Sequence, residues 1–292
     1  MSSLSSERLL ALPFCVLGKR LFSVRLPLAV HDLSLVDALT GREPAPLQTL
    51  PARSAGRVLC HVPDPGWRTY SVYDDRITCV LVRDTWHYLS LAGSYEDFLA
   101  SRYSIKSRES FARDEARLAE RCGGALELRE YRGVDALPEF QRLVGQIDGA
   151  RRGPADRAAE RRRPTAEARG YVLFAAEQPL AWMRLQVAGD ICLYGGAGEA
   201  EAFRGDALAT ILHLQVIRRL FAEQVCRYLD YRPGDGELKR QFANGVLRSA
   251  VLLDLRPGLF NRLLLRGLAG ERRRAFASRR SAGAGMAAFA LR

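Results

Sequence analysis

A strand-like run that ends in a tight polar turn, within residues 228–242, constrains the fold of this chain more than any other feature. Tyr228 and Tyr231 favour an extended backbone. The Pro-Gly-Asp-Gly run at 233–236 must be a turn. The sequence therefore predicts that Asp230 lies at the carboxyl end of a strand, where open α/β sheets bind their ligands.

A cation follows this strand end. Lys239 comes shortly after the turn, within reach of whatever the strand end faces. An acid, a flexible backbone and a base close together can serve proton transfer and anion binding. The same residues are equally typical of a surface turn with an ordinary ion pair. Residue types alone leave both interpretations open.

The segments before and after the turn predict a definite order of elements. Strand-like runs at 171–176, 180–187 and 191–196 are separated by tight turns, which indicates a three-stranded antiparallel meander. Apolar residues at helical spacing predict a long helix at about 205–224. A last strand is expected at 246–253. The predicted order is three antiparallel strands, a helix, a strand, a short helix or loop, and a strand.

The first half of the chain predicts a second group of strands. Residues 1–20 are expected to be a helical or loosely ordered lead-in, and 22–30 have strand-like content. Four short β-type runs, separated by turn residues, predict an antiparallel meander at 57–62, 69–73, 76–83 and 86–91. Helices are predicted to follow from Ser94 and over residues 105–122 and 136–147.

The positive charge of the chain is concentrated at its C-terminal end. The net charge is +11, and residues 256–292 hold nine arginines and one acid, which leaves 11 − 8 = +3 for the remainder. Residues 259–268 predict a basic amphipathic helix that either caps the last sheet or lies on an anionic membrane. The arginine-rich end is expected to be a disordered extension. No stacking platform of aromatic residues accompanies the arginines, so nucleic-acid binding ranks last of the three interpretations.

A second cationic segment, residues 149–170, contains seven arginines and two prolines. It predicts either a solvated linker or a cationic lid over an acidic or phosphate-bearing substrate.

The remaining composition bears on compartment and metal content. No run of about 18 apolar residues exists, so no transmembrane helix is expected, and no secretory signal is recognisable. The cysteines have no metal-ligand spacing, so buried reduced thiols and no metal are predicted. A reducing compartment follows, and we expect a cytoplasmic protein, with peripheral contact at the inner face of the membrane as an alternative. The six cysteines are Cys15, Cys60, Cys79, Cys122, Cys192 and Cys226.

Two motifs resemble a known family. The late one is Asp230-Tyr231-x-x-Gly234-Asp235-x-x-x-Lys239-x-x-Phe242, and the early one is Ser94-Tyr95-Glu96-Asp97-Phe98-Leu99 followed by Ser104-Ile105-Lys106-Ser107-Arg108. In this order and spacing they resemble the GNAT-like acetyltransferases associated with cellulose biosynthesis (the CelD/BcsL type). Those in turn resemble the FemABX peptidoglycan aminoacyltransferases. The resemblance covers roughly residues 85–270.

The resemblance implies a fold and a division into domains. The fold would be of the α+β or α/β class, with the mixed sheet flanked by helices of a GNAT-like acyl-CoA N-acyltransferase. The predicted order of elements agrees with that core. A tandem of two GNAT-like halves is a further hypothesis. The expected domains are a degenerate half at 1–130, an acyltransferase domain at 131–255, and the basic helix and tail at 256–292.

The resemblance also implies where acyl-CoA would bind. In the GNAT fold the pyrophosphate lies on backbone N–H groups where the helix begins after the third meander strand. The matching positions are Gly196, Gly198, Arg204 and Gly205, since glycines allow close approach of the backbone and an arginine can pair with phosphate. The usual signature, Q/R-x-x-G-x-G/A, is missing, and Asp206 at the helix start repels phosphate.

Two residues are candidates for catalysis. Asp230 is predicted to be the general base or to orient the acceptor amine. Tyr194 is predicted to donate a proton to the departing thiolate, and half-buried strand packing is its alternative role. His213 is expected to be packing within a helix.

Four further residues belong to the two family motifs. Asp235 and Lys239 are assigned to substrate binding or to local architecture. Lys106 and Arg108 are assigned to binding a polar or anionic acceptor, with a solvated helix start as the alternative.

The leading hypothesis is an acyltransferase that moves an acyl group, by preference acetyl, from acyl-CoA to an amine or hydroxyl. The resemblance suggests an envelope polysaccharide precursor as the acceptor. One alternative is FemABX-like aminoacyl transfer from charged tRNA, which would show strongly salt-dependent tRNA binding. Another is an inert GNAT-like module that docks on a membrane or a synthase complex.

Overall fold

The computed structural model describes residues 5–16, 19–42, 46–51, 53–148, 167–203 and 207–282. Residues 149–166 of the predicted linker or lid lie outside the described residues. The chain divides into two compact units. The first comprises Met1–His87, Pro233–Arg240 and Val246–Arg292, and the second Tyr88–Arg232 and Gln241–Gly245. Each unit combines separate ranges of the chain, whereas each predicted domain is one continuous range. The predicted domain boundaries stay a prediction.

The first unit is built on a mixed sheet. Neighbouring strands follow the order β1-β2-β3-β11-β5, and β4 pairs with β5. Strands β1 and β2 are antiparallel, β2 and β3 parallel, and β3 and β11 antiparallel. The strands are β1 (Ser5–Val16), β2 (Lys19–Asp32), β3 (Gly56–Pro63), β4 (Tyr70–Val72), β5 (Ile77–Ser90) and β11 (Gly245–Leu255), and a short helix, α1 (Leu35–Leu39), joins β2 to β3.

Two predictions for this unit are wrong. The expected lead-in at residues 1–20 contains strand β1, in which Leu10 and Leu12 are buried while Leu9 and Ala11 are exposed, as a strand's two-residue period requires. The expected meander does not form, because β11, from far along the chain, lies between β3 and β5. The runs predicted at 76–83 and 86–91 form one strand, β5.

The last helix, α7 (Leu259–Ala282), covers one face of this sheet. Its buried residues Leu264, Leu265 and Leu268 belong to a core cluster with Leu10 of β1 and Leu28 of β2. The alternative of a capping helix is therefore confirmed for residues 259–268. The predicted disordered extension is wrong as far as Ala282, because the helix continues to that residue. No helix within the described ranges is long and apolar enough to span a membrane.

The second unit contains the predicted three-stranded meander, helix and following strand in that order, whereas the predicted last strand at 246–253 belongs to the first unit. Strands follow the order β10-β9-β8-β7-β6, antiparallel from β6 to β9 and parallel between β9 and β10. The strands are β6 (Leu126–Arg132), β7 (Glu167–Ala175), β8 (Gln178–Ala188), β9 (Ile191–Glu199) and β10 (Tyr228–Pro233). The helices are α2 (Tyr95–Arg102), α3 (Ile105–Arg121), α4 (Gly133–Asp148), α5 (Leu208–Glu223) and α6 (Glu237–Phe242).

Helices pack on the sheet of the second unit. Phe140, Leu143 and Val144 of α4 form a core cluster with Val172 of β7 and Trp182 of β8. Helix α5 connects β9 to the parallel strand β10 and buries an apolar face as predicted. The mixed sheet flanked by helices confirms the predicted GNAT-like fold class. Each unit contains an antiparallel pair followed by a parallel pair with a helix between its strands, which is the pattern expected of tandem halves.

A disulfide corrects the prediction for the cysteines. Cys192 on β9 is bonded to Cys226, which lies just before β10. Both are buried, and this burial is the reason that residue types alone suggested reduced thiols. Cys15, Cys60, Cys79 and Cys122 are free thiols. Burial raises the pKa of Cys60 and Cys79 to about 12, so both stay protonated.

Candidate functional site

The parallel strands β9 and β10 are paired over only a short length. The register joins Ile191 to Tyr228, Cys192 to Leu229 and Leu193 to Asp230. Strand β9 then continues to Glu199, bonded to β8 on its other side. Within the described part of the chain, no strand pairs with the remaining edge of β9. We call the opening between β9 and β10 beyond Leu193 and Asp230 the gap. The edge of β9 that faces the gap presents unpaired backbone N–H and C=O groups.

A β-bulge bends β9 at the gap. Leu185 of β8 pairs with Tyr194 and Arg184 with Gly196, so Gly195 is the extra residue. Gly196 has φ +125°, a conformation that favours glycine. The Arg184 guanidinium donates from Nη2 to the Gly195 carbonyl oxygen at 3.2 Å. Arg184 therefore fixes the bulge, a role that the sequence did not indicate because the bulge was not predictable.

Tyr194 is the first residue of β9 beyond the paired segment. Its ring centroid lies 5.6 Å from that of Tyr231 on β10 and 5.8 Å from that of His213 on α5. The side chain is half-buried, and burial raises its pKa to about 12. The Tyr194 hydroxyl therefore keeps its proton at neutral pH and can donate a hydrogen bond.

His213 is fully buried behind Tyr194 and stacks on Phe242, with ring centroids 4.7 Å apart. Burial lowers the pKa of His213 to about 4, so the imidazole is neutral at pH 7. Its Nδ1 lies 2.9 Å from the Ala209 carbonyl oxygen, which can only accept, so Nδ1 carries the proton. Nε2 is then an acceptor, and it has no hydrogen-bond partner among the described residues.

Tyr231 supplies a second unsatisfied polar atom. The side chain is buried, burial raises its pKa well above the ordinary value, and the hydroxyl has no partner among the described residues. Buried polar atoms without partners are rare and are found at functional sites or where water binds. His213 packs within helix α5, as predicted, but the unpartnered Nε2 could not be predicted because periodicity shows only that a residue is buried.

Asp230 lies on the other face of β10 from Tyr231, because successive residues of a strand alternate. It is buried, and its Oδ1 accepts a hydrogen bond from the backbone N–H of Arg232 at 2.6 Å. Arg232 has φ +63°, an uncommon conformation for a residue with a side chain. The structure thus places Asp230 and Tyr194 at the same gap but on opposite faces of the strand pair.

The turn after β10 belongs to the first unit and is held by hydrogen bonds of its own. Lys239 donates from Nζ to the carbonyl oxygens of Pro233, at 3.2 Å, and Gly234, at 3.0 Å. These contacts show that Lys239 closes the turn. A role in local architecture was one of the two alternatives that the sequence analysis gave for this residue.

Asp235 in the same turn is hydrogen-bonded to a buried histidine. Its Oδ1 lies 3.0 Å from Nε2 of His87, and its Oδ2 accepts from Arg240 at 2.6 Å. Partial burial alone would raise the pKa of Asp235, but the hydrogen bond from His87 and the charge of Arg240 lower it. Asp235 is therefore a charged anchor of the turn.

The early motif begins helix α3. Ser104 is the N-cap, and its Oγ accepts from the backbone N–H of Ser107 at 3.1 Å. Lys106 is exposed in the first turn, and Arg108 is half-buried. The Nε of Arg108 has no hydrogen-bond partner among the described residues.

The predicted cofactor residues fall partly outside the described residues. Arg204 and Gly205 are among those not described, whereas Gly196 and Gly198 lie within strand β9 rather than at the helix start. A Cβ at Gly198 would collide with Trp182 Nε1 and Asp148 Oδ1, which are hydrogen-bonded at 2.7 Å. Helix α5 begins after Ala207, whose side chain makes no capping hydrogen bond.

Comparisons with known proteins give distant likenesses. No family model and no curated protein matches the chain. FemX has 9% identity and a TM-score of 0.45, over 87% of this chain and 88% of that one. The C-terminal domain of a lysylphosphatidylglycerol synthetase from Agrobacterium fabrum has 11% identity and a TM-score of 0.42, over 72% and 71%. A GCN5-related N-acetyltransferase from Kribbella flavida has 12% identity and a TM-score of 0.36, over 70% and 71%. Likenesses of this size carry no argument about activity.

Proposed function

We propose that the chain transfers an acyl group from acyl-CoA to an amine or hydroxyl acceptor at the gap between β9 and β10. The observation that carries this proposal is the end of strand pairing at Leu193 and Asp230, directly beside the proton donor Tyr194. Acyl transfer from a thioester needs an aligned carbonyl, a deprotonated acceptor and a polarising donor, and no covalent nucleophile on the protein.

The free edge of β9 supports binding of the donor. The arm of CoA contains amide groups, which can hydrogen-bond to a strand edge as an added strand does. The residues that would hold it are Gly196 and Gly198, at the bulge and beyond it. The first N–H groups of α5, which the side chain of the N-cap residue Ala207 does not cap, would take the pyrophosphate. Arg204 and Gly205 remain assigned to the same phosphate.

The reaction balances with the groups at the gap. The acceptor's lone pair attacks the thioester carbonyl carbon, and the carbon–sulfur bond breaks as the amide or ester bond forms. Tyr194 gives its hydroxyl proton to the leaving thiolate. Asp230 lies on the other face of the strand pair, so solvent in the gap is assigned to carry to it the proton that the acceptor loses, after which Tyr194 is reprotonated from solvent.

The acceptor is assigned by its charge. Lys106 and Arg108 begin helix α3 and support binding of a polar or anionic acceptor, of which an envelope polysaccharide precursor is one example. Asp235 and Lys239 make their observed contacts within the turn, so we assign them to the architecture of the strand end.

Tyr194→Phe tests the role of the donor. The variant keeps the ring packing but removes the proton, so kcat for acetyl transfer should fall about 10²- to 10⁴-fold with little change in KM. The assay is transfer of labelled acetyl from acetyl-CoA to a panel of amines and hydroxyl compounds.

Tyr131→Phe is the matched control, since Tyr131 lies on β6 and packs on a different cluster. Equal activity of Tyr194→Phe and the wild type would remove Tyr194 from the mechanism.

A further inference from the structure

An exposed apolar surface lies on the first unit, apart from the gap. Phe22 is 50% exposed, Phe260 48% and Leu263 51%. Phe14 contacts both of these aromatic rings: it stacks on Phe22 with ring centroids 4.7 Å apart, and its centroid lies 6.0 Å from that of Phe260. We call Phe14, Phe22, Leu259, Phe260 and Leu263 the aromatic patch.

The patch follows from register and from helical period. Phe14 and Phe22 are directly opposite each other in the β1–β2 ladder, so their side chains share a face. Helix α7 is apolar on two sides: Leu264 and Leu268 are buried in the core, whereas Leu259 and Leu263 are exposed. A helix that only capped the sheet would need one apolar side. The second apolar side therefore needs another explanation.

Cations surround the patch. Lys19 and Arg20 begin β2 next to Phe22, and Arg262 and Arg266 lie on α7 beside Leu263; all four are exposed. We call these four residues the basic rim. Glu271, the one acid of residues 256–292, accepts a hydrogen bond from Cys15 Sγ at 3.3 Å.

We propose that the aromatic patch and the basic rim bind the surface of an anionic lipid bilayer, with the rings at the boundary of the acyl chains and the cations at the headgroup phosphates. Aromatic and leucine side chains flanked by Lys and Arg are the composition that interfacial membrane binding requires. A second copy of the chain fits poorly, because facing patches would bring two basic rims together. This inference does not depend on the acyl transfer proposed above.

Vesicle flotation tests the surface. The full chain is mixed with vesicles of phosphatidylcholine alone or with phosphatidylglycerol, and the bound fraction is measured against lipid concentration at low and high salt. We expect binding only to the anionic vesicles, weakened by salt because screening acts on exposed charges.

Two sets of variants separate the contributions. Phe22→Ser with Phe260→Ser should weaken binding about tenfold or more, because the apolar contact is lost. Arg262→Gln with Arg266→Gln should weaken it about 25-fold, at about fivefold per cation. The second pair touches no core residue, so it remains informative if the first pair unfolds the chain.

Matched controls lie on the second unit. Val134→Ser removes an exposed apolar residue, and Arg113→Gln with Arg117→Gln removes the same charge from α3. Both should bind like the wild type. Equal weakening by the arginine controls would attribute binding to net charge and overturn the proposed surface. Absence of binding to anionic vesicles, or self-association that Phe260→Ser abolishes, would overturn it as well.

Discussion

Burial sets the proton affinity of each ring beside the gap. Tyr194 and Tyr231 keep their protons because burial disfavours the phenolate, and His213 stays neutral because burial disfavours the imidazolium. The result is a proton donor at the gap, with one buried donor and one buried acceptor behind it. These three rings can polarise a substrate while remaining uncharged.

His213 makes stability depend on pH. Its folded pKa of about 4 lies below the ordinary 6.5, so the unfolded chain binds the proton more tightly. Stability is therefore complete above about pH 6.5 and falls as the pH drops towards 4, by up to about 3 kcal/mol. Urea unfolding of the wild type and of His213→Leu between pH 4 and 7 measures this.

The His213→Leu variant should show a flatter pH profile over that range. Parallel profiles for His213→Leu and the wild type would contradict burial as the cause.

Asp230 is tested by a substitution that keeps its hydrogen bond. Asparagine retains an oxygen that can accept from the Arg232 amide, so Asp230→Asn should leave the melting temperature nearly unchanged. If Asp230 accepts the acceptor's proton, turnover should be lost. Full activity in this variant would confine Asp230 to the turn.

At the level of elements, the gap depends on how β9 and β10 are held together before they separate. Only three residue pairs join the two strands. The disulfide between Cys192 and Cys226 links β9 to the segment just before β10. The disulfide closes a loop with a sequence separation of 34 residues. It therefore anchors the paired end of strands whose other ends diverge.

Reduction of this disulfide should cost about 3–4 kcal/mol of unfolding free energy, from the entropy of the loop that it closes. Urea unfolding with and without reductant measures the difference. Cys226→Ser should show the same loss and no further effect of reductant. An unchanged midpoint on reduction would contradict the anchoring role.

Local signals predicted the elements of the second unit well. The turns between β7, β8 and β9 are tight and rich in turn residues, so the meander could be predicted directly from the sequence. The position of β11 could not, because pairing between distant strands leaves no local signal. Strand β1 was missed for a different reason: the alternation of its side chains was overlooked, and residues 1–20 were predicted to be a helical or loosely ordered lead-in.

At the scale of the whole molecule, each unit has a core of its own and a parallel strand pair with a helical connection. The late motif predicted the strand end at Asp230, and Tyr194 was predicted separately as a proton donor on the preceding strand. Neither prediction identified Arg184, His213 or Tyr231, because the bulge and the unsatisfied buried atoms exist only in the folded chain.

A thermal-shift titration with acetyl-CoA, longer acyl-CoAs and free CoA tests the central claim most directly. A ligand at about one hundred times its Kd stabilises the folded state by roughly 2.7 kcal/mol. We predict a saturable rise in melting temperature with acyl-CoA, retained in Tyr194→Phe because that change removes the proton donor and not the donor-binding edge. No shift with any CoA would contradict acyl-CoA as the donor and direct the search to charged tRNA.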